Sequence, residues 1–228
     1  MNSDAGSTAP DLTTGGTGPH SDQPVAQAGA PLGEGQAAMI MIHGRNAGPH
    51  DILGLYRALD RQGFTYLAPA ARNNAWYPNS FMAERESNQP GISSGLSMIS
   101  ALVDDVVQAG VPRERIMLLG FSQGACLTSE FAYRHPARYG GVIAYSGGLI
   151  GPPETRWEIL GSVEGTPVFL GCSDRDPHIP EDRVHDTARI FEAMGARVTE
   201  RIYPEMGHLV NDDEIAFTQE LMDRVLSG

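Results

Sequence analysis

The sequence contains no lysine; its 16 basic residues are all arginine. They stand against 28 acidic residues, for a formal net charge of −12 at pH 7. That balance argues against nucleic acid and anionic membranes as partners, since both are held chiefly by cationic side chains. It suits a surface solvated in high salt, where screening relieves self-repulsion. A coding bias toward arginine produces the same composition, so the two origins stay level. Cysteine is nearly absent. Cys126 and Cys172 form no disulfide framework and no metal-ligand spacing, and each reads as a small apolar residue. The histidines are too scattered to suggest a metal site, and nothing implies an organic cofactor. No apolar run approaches the length that spans a bilayer, so stable membrane insertion is not expected. The N-terminus has neither a basic start nor an apolar stretch, which makes the cytoplasm the expected location.

What is present is a chain of 228 residues with 41% hydrophobic content, enough for one domain with a sizeable core. Residues 1–35 are rich in small and polar residues without periodicity. They read as a disordered tail ahead of a catalytic domain over 36–228, with 23–27 a candidate edge strand. Short apolar runs at 37–42, 65–68, 116–120, 141–145, 167–171 and 198–203 read as buried strands. Helical spacing appears over 49–61, from Ser93 or Ser94 to 109, and over 125–134, 180–194 and 211–226. This alternation predicts a mostly parallel sheet covered by helices on both faces. Residues 70–92 are irregular, and a loop that long inside a compact domain is usually functional.

The most informative stretch is Gly120-Phe121-Ser122-Gln123-Gly124. It follows a strand and opens a helix, the setting in which G-x-S-x-G forms a nucleophile elbow. The turn strains the serine backbone, and glycines on either side avoid clashes. The Ser122 hydroxyl then stands above the sheet, and the Gln123 N–H points into the same space.

In open α/β sheets functional groups collect beyond the carboxyl ends of strands. Two other strand ends carry matching chemistry: Asp174-Arg175-Asp176-Pro177-His178-Ile179-Pro180, and Gly207-His208. Serine needs a histidine to take its proton, and the histidine needs a carboxylate to fix its tautomer. Ser122 is read as nucleophile, His208 as general base and acid, and Asp176 as the orienting acid. The residues alone do not exclude Asp174 from that last role. The chain order serine, acid, histidine is that of α/β-hydrolases.

With these segments and the apolar strand leading to His43-Gly44, the sequence resembles the carboxylesterase and phospholipase family of α/β-hydrolases, which includes the acyl-protein thioesterases. The likeness spreads over about residues 37–226 and is strongest to a less characterised bacterial branch. It implies the α/β-hydrolase fold and a serine esterase without metal or cofactor. It favours Asp176 over Asp174, which is left to brace the loop. It also implies an oxyanion hole made by the backbone N–H groups of Arg45 and Gln123. His43 is expected to bond the loop rather than act as base, and His178 to line the site, stabilise its loop or simply lie exposed. His20, His50, His135 and His185 read as surface residues.

Two loops depart from the thioesterase pattern: Arg45-Asn46-Ala47-Gly48, and the stretch holding Trp76-Tyr77-Pro78-Asn79-Ser80-Phe81. Both differences argue against a long acyl tunnel. Trp76, Tyr77 and Phe81 are read as an aromatic wall over a short acyl or aryl group, against the alternative of plain packing onto the sheet. The expected substrate is thus a small-molecule ester of a small or medium acyl group. A lysophospholipase or acyl-thioesterase is the nearest rival. A dienelactone-type hydrolase would resemble this chain with cysteine at the elbow. A non-catalytic binding protein on the same scaffold is the rival of another class. No sequence feature excludes a homodimer.

Overall fold

A seven-stranded sheet organises the computed structural model, which describes residues 16–228. Its strands are β1 (Val25–Gly29), β2 (Ala37–Ile42), β3 (Phe64–Pro69), β4 (Ile116–Phe121), β5 (Gly141–Tyr145), β6 (Pro167–Ser173) and β7 (Arg197–Tyr203). Their order across the sheet is β1-β3-β2-β4-β5-β6-β7. All neighbours are parallel except β1, which runs antiparallel on the outer edge of β3.

The apolar runs follow from burial on both faces. In β2, Ala38, Ile40 and Ile42 enter one core, while Ala37, Met39 and Met41 enter the other. A strand buried on both sides has no position for a polar alternate, so it reads as continuous hydrophobicity. Helices α1 (Pro49–Ile52) and α2 (Tyr56–Leu59), with α6 (Asp212–Ser227), supply residues to the Met39 side. Helices α3 (Gly91–Gln108), α4 (Gln123–Arg134) and α5 (Glu181–Ala193) supply the Ile40 side. Ile92, Leu96, Ile99, Val103 and Val106 of α3 recur at helical spacing and are all buried. Burying side chains of this size contributes about 1.5–3 kcal/mol each.

The chain departs from the sequence expectation in three places. The tail expected over 1–35 instead forms structure from residue 16 onward: β1 pairs with β3, and His20 is buried. The candidate edge strand at 23–27 falls in this segment, shifted to Val25–Gly29. Residues 1–15 of that expected tail lie outside the described residues. The helix expected over 49–61 is broken into α1 and α2 by a 3-10 turn at Leu53–Leu55. The start of α3 moves back to Gly91, where a Cβ would come within 2.5 Å of the Trp76 carbonyl oxygen.

Candidate active site

Ser122 joins β4 to α4 with φ 56° and ψ −121°, a conformation that L-residues rarely adopt. The flanking glycines are required by contact. A Cβ at Gly120 would meet the Gly124 oxygen at 2.3 Å, and one at Gly124 would meet the Ile42 oxygen at 2.1 Å. The elbow is therefore pressed against the end of β2, which carries His43 and Gly44. A Cβ at Gly44 would already touch Ser122 Cβ at 3.4 Å, so the Arg45 loop lies beside the serine.

The loops after β6 and β7 bring two further groups to the same place. His208 Nε2 lies 2.8 Å from Ser122 Oγ, and His208 Nδ1 lies 2.7 Å from Asp176 Oδ2. Asp176 Oδ1 accepts N–H groups from His178 at 2.8 Å and Ile179 at 3.1 Å. Burial alone would raise the Asp176 pKa. The hydrogen bond to His208 and the two backbone donors outweigh it and hold the carboxyl below its ordinary value. Asp176 is thus an anion at neutral pH. The His208 ring packs beside Phe121, with centroids 4.9 Å apart, and meets His178 edge-on at 4.8 Å.

The two loops are stitched together. Asp174 Oδ1 accepts the Glu205 N–H at 2.8 Å, Ser173 Oγ accepts the Gly207 N–H at 3.1 Å, and Arg175 pairs with Glu205 at 2.9 Å. Asp174 braces the His208 loop, while Asp176 touches the imidazole. Behind the loop, Asn211 and Glu214 cap α6 reciprocally, each side chain accepting the other's N–H at 2.9 Å.

The opposite wall comes from the irregular stretch after β3. Gln123 clamps it: its side-chain oxygen accepts the Trp76 N–H at 2.9 Å, and its amide donates to the Tyr77 carbonyl at 2.8 Å. Asn46 and Asn74 both take positive φ, and the Asn46 N–H donates to the Asn74 carbonyl at 2.8 Å. Arg45 reaches across, donating to the carbonyls of Pro78 at 2.9 Å and Asn79 at 2.6 Å. These loops enclose a cavity of about 640 Å³ whose lining includes Arg45, Tyr77, Phe81, Ser122, Gln123 and His208. The Gln123 amide lies in the first turn of α4, where backbone N–H groups have no partner inside the helix.

Trp76 does not join that wall. It is wholly buried, its Nε1 donates to the His43 carbonyl at 2.9 Å, and its ring packs against His20 and His43. Tyr77 and Phe81 do line the cavity, as does His178. His20, read as a surface residue, is buried and bonds the Trp76 carbonyl and the Arg72 N–H. Burial lowers its pKa and that of His43, so both are neutral at pH 7. His43 accepts the Ala71 N–H on Nε2 and donates to the Gly44 carbonyl from Nδ1, a loop-bonding role. Cys126 and Cys172 are buried, and that burial raises both thiols to about 12. Among the described residues, no group of three or more His, Cys, Asp or Glu could hold a metal ion. None of the described helices is long and apolar enough to cross a membrane.

A parallel sheet with one antiparallel edge, helices on both faces and a serine on a strained strand-to-helix turn define an α/β-hydrolase. Comparison with known proteins narrows the class. A family model described as Phospholipase/Carboxylesterase matches residues 60–226, and the chain belongs to that family of hydrolases. Acyl-protein thioesterase 1 of Eremothecium gossypii is 31% identical over 166 residues, 68% of each chain. Acyl-protein thioesterase 1 of Kluyveromyces lactis is 36% identical over 107 residues, 45% of each chain. A phospholipase/carboxylesterase structure from Dyadobacter fermentans is 38% identical, with a TM-score of 0.84 over 90% of this chain and 96% of that one.

Proposed function

We propose that the protein cleaves carboxylic esters of small or medium acyl groups through an acyl-serine intermediate. One observation carries this reading: the unbroken relay from Asp176 through His208 to a Ser122 hydroxyl that opens on the cavity. Ser122 Oγ attacks the ester carbonyl as its proton passes to His208 Nε2. Asp176 holds the proton of Nδ1 in place and stabilises the imidazolium. The carbonyl oxygen becomes an oxyanion facing the N–H groups of Arg45 and Gln123, and one such donor is worth about 3 kcal/mol. As the tetrahedral intermediate collapses, His208 returns its proton to the departing alcohol. Water, deprotonated by His208, then releases the acid and restores Ser122.

A cavity of 640 Å³ is in the range of small-molecule sites, about 300–1,000 Å³. Tyr77 and Phe81 supply its aromatic side. The likeness to acyl-protein thioesterases supports thioester cleavage as a second reading, and the Phospholipase/Carboxylesterase family model supports lysophospholipid cleavage beside it. Labelling with a fluorophosphonate probe is expected in the wild type and absent in Ser122→Ala. A folded, unlabelled wild type would instead favour a binding protein on a hydrolase scaffold. p-Nitrophenyl esters from acetate to palmitate separate the two enzyme readings. A maximum at short or medium chains is expected, and activity climbing steadily to palmitate would overturn the small-acyl assignment.

A further inference from the structure

The cavity beside Ser122 differs in charge from the rest of the molecule. The chain carries a net charge of −12, yet the cavity lining contains no aspartate or glutamate and one arginine. That arginine, Arg45, is tethered without being neutralised. Its guanidinium spends donors on two backbone carbonyls, Pro78 and Asn79, and pairs with no carboxylate among the described residues. A guanidinium has five N–H donors, so this tether leaves part of the fork free. It also fixes the side chain, so little rotamer freedom remains to be lost when a ligand binds. Nearby carboxylates are already engaged: Asp51 accepts the Gly48 N–H, and Asp176 is covered by His208. The wall on this side therefore presents an unneutralised cation and no carboxylate.

We propose that Arg45 is a carboxylate-binding residue and that the preferred substrates are esters whose acyl part carries a second, ionised carboxylate. The inference rests on the reading of this cavity as an ester-hydrolase site and adds a substrate class to it. The acidic surface opposes entry of an anion, but that repulsion acts through solvent and is screened over about 8 Å at physiological ionic strength. Arg45 acts in contact, where a guanidinium and a carboxylate form paired charge-assisted hydrogen bonds.

The test is a series of mono-p-nitrophenyl esters of C5–C8 dicarboxylic acids, each paired with the neutral monocarboxylic ester of equal length. The readout is the ratio of kcat/KM for the charged ester to that for its neutral partner. Using a ratio removes any general loss caused by loosening the Arg45 loop. At the best-matching length the wild type is expected to give a ratio above one. In Arg45→Met that ratio falls about 10- to 100-fold, the range for a hydrogen bond to a charged group. The drop should lie mainly in KM for the charged ester. Arg45→Lys keeps the charge but loses the planar fork over the two carbonyls, and it should retain a preference that Arg45→Met lacks. A wild-type ratio at or below one at every length overturns the proposal. So does a ratio unchanged in Arg45→Met, which would make Arg45 a structural brace only. Hydrolysis of the neutral series without charge preference defeats this inference alone. Failure to hydrolyse either series, together with no fluorophosphonate labelling, defeats the underlying functional reading.

Discussion

Gln123 uses two parts of one residue. Its backbone N–H is a proposed oxyanion donor, and its side chain bonds both Trp76 and Tyr77. Gln123→Ala would strand a buried N–H and a buried C=O at about 1–3 kcal/mol each. A fall of about 2–6 kcal/mol in unfolding free energy by urea titration is expected. Asp176→Asn removes the charge that fixes the His208 tautomer, and kcat should drop by about 10⁴-fold while the fold persists. Glu214 gives a prediction in pH. It is buried in the first turn of α6, one carboxylate oxygen has no partner among the described residues, and burial raises its pKa from 4.5 to about 7. The unfolded chain loses this proton near 4.5 and the folded chain holds it to about 7, so stability from this group declines as pH rises through that window. Glu214→Gln should match the wild type below pH 4.5 and exceed it above pH 7, by on the order of 3 kcal/mol. Curves that stay parallel across pH would refute this. Of these residues, Ser122, Asp176 and His208 were legible because local motifs mark them. The Gln123 clamp, the Ser173 bond and the place of Glu214 were not. Each depends on a partner brought near by the sheet, and side-chain direction across such a gap leaves no local pattern.

At the scale of elements, the sheet was readable wherever strands are buried on both faces. β2 and β4 announce themselves by unbroken apolar runs. The edge strand β1 gives only the weaker signal of the candidate at 23–27, because it is only partly covered. It pairs with β3 over Val25–Gly29, and His20 anchors the segment before it through Trp76 and Arg72. Deleting residues 1–29 would expose the edge of β3, a row of unpaired backbone groups that invites association. The truncated protein should melt lower and aggregate, as read by light scattering during a thermal ramp. Unchanged melting would mean that β1 contributes nothing. The elbow makes the opposite demand, for space. Gly124→Ala puts a methyl against the Ile42 oxygen at 2.1 Å, and a loss of about 3 kcal/mol is expected from overpacking against backbone. The stretch between β3 and α3 stood out by its length, and part of it lines the cavity, but which aromatic faces that cavity was not legible. Trp76 was pulled inward by its bond to His43, an outcome set by the neighbouring loop.

Over the whole molecule, charge is the feature that the fold does not absorb. The ion pairs are largely superficial; Arg224 and Glu220, for example, are each more than 60% exposed. Such pairs contribute little, so screening them costs little. Screening the surplus of −12 relieves repulsion across the surface. The thermal midpoint is therefore expected to rise between about 0.1 M and about 1 M potassium chloride, over which the screening length shrinks from about 10 Å to about 3 Å. A midpoint that is flat or falls would assign the missing lysine to coding bias instead of salt adaptation.

The proposed site draws on strand ends spread across the sheet, and their order along the chain sets an order in time. During synthesis the loop after β2 appears first, then Ser122 at the end of β4, then Asp176 after β6, and His208 only after β7. Until β7 is laid against β6 and the Asp174–Glu205 and Ser173–Gly207 bonds form, Ser122 lacks its proposed base. On the proposed mechanism a nascent or partly refolded chain would hold Ser122 silent, and the onset of turnover would mark the docking of the last strand.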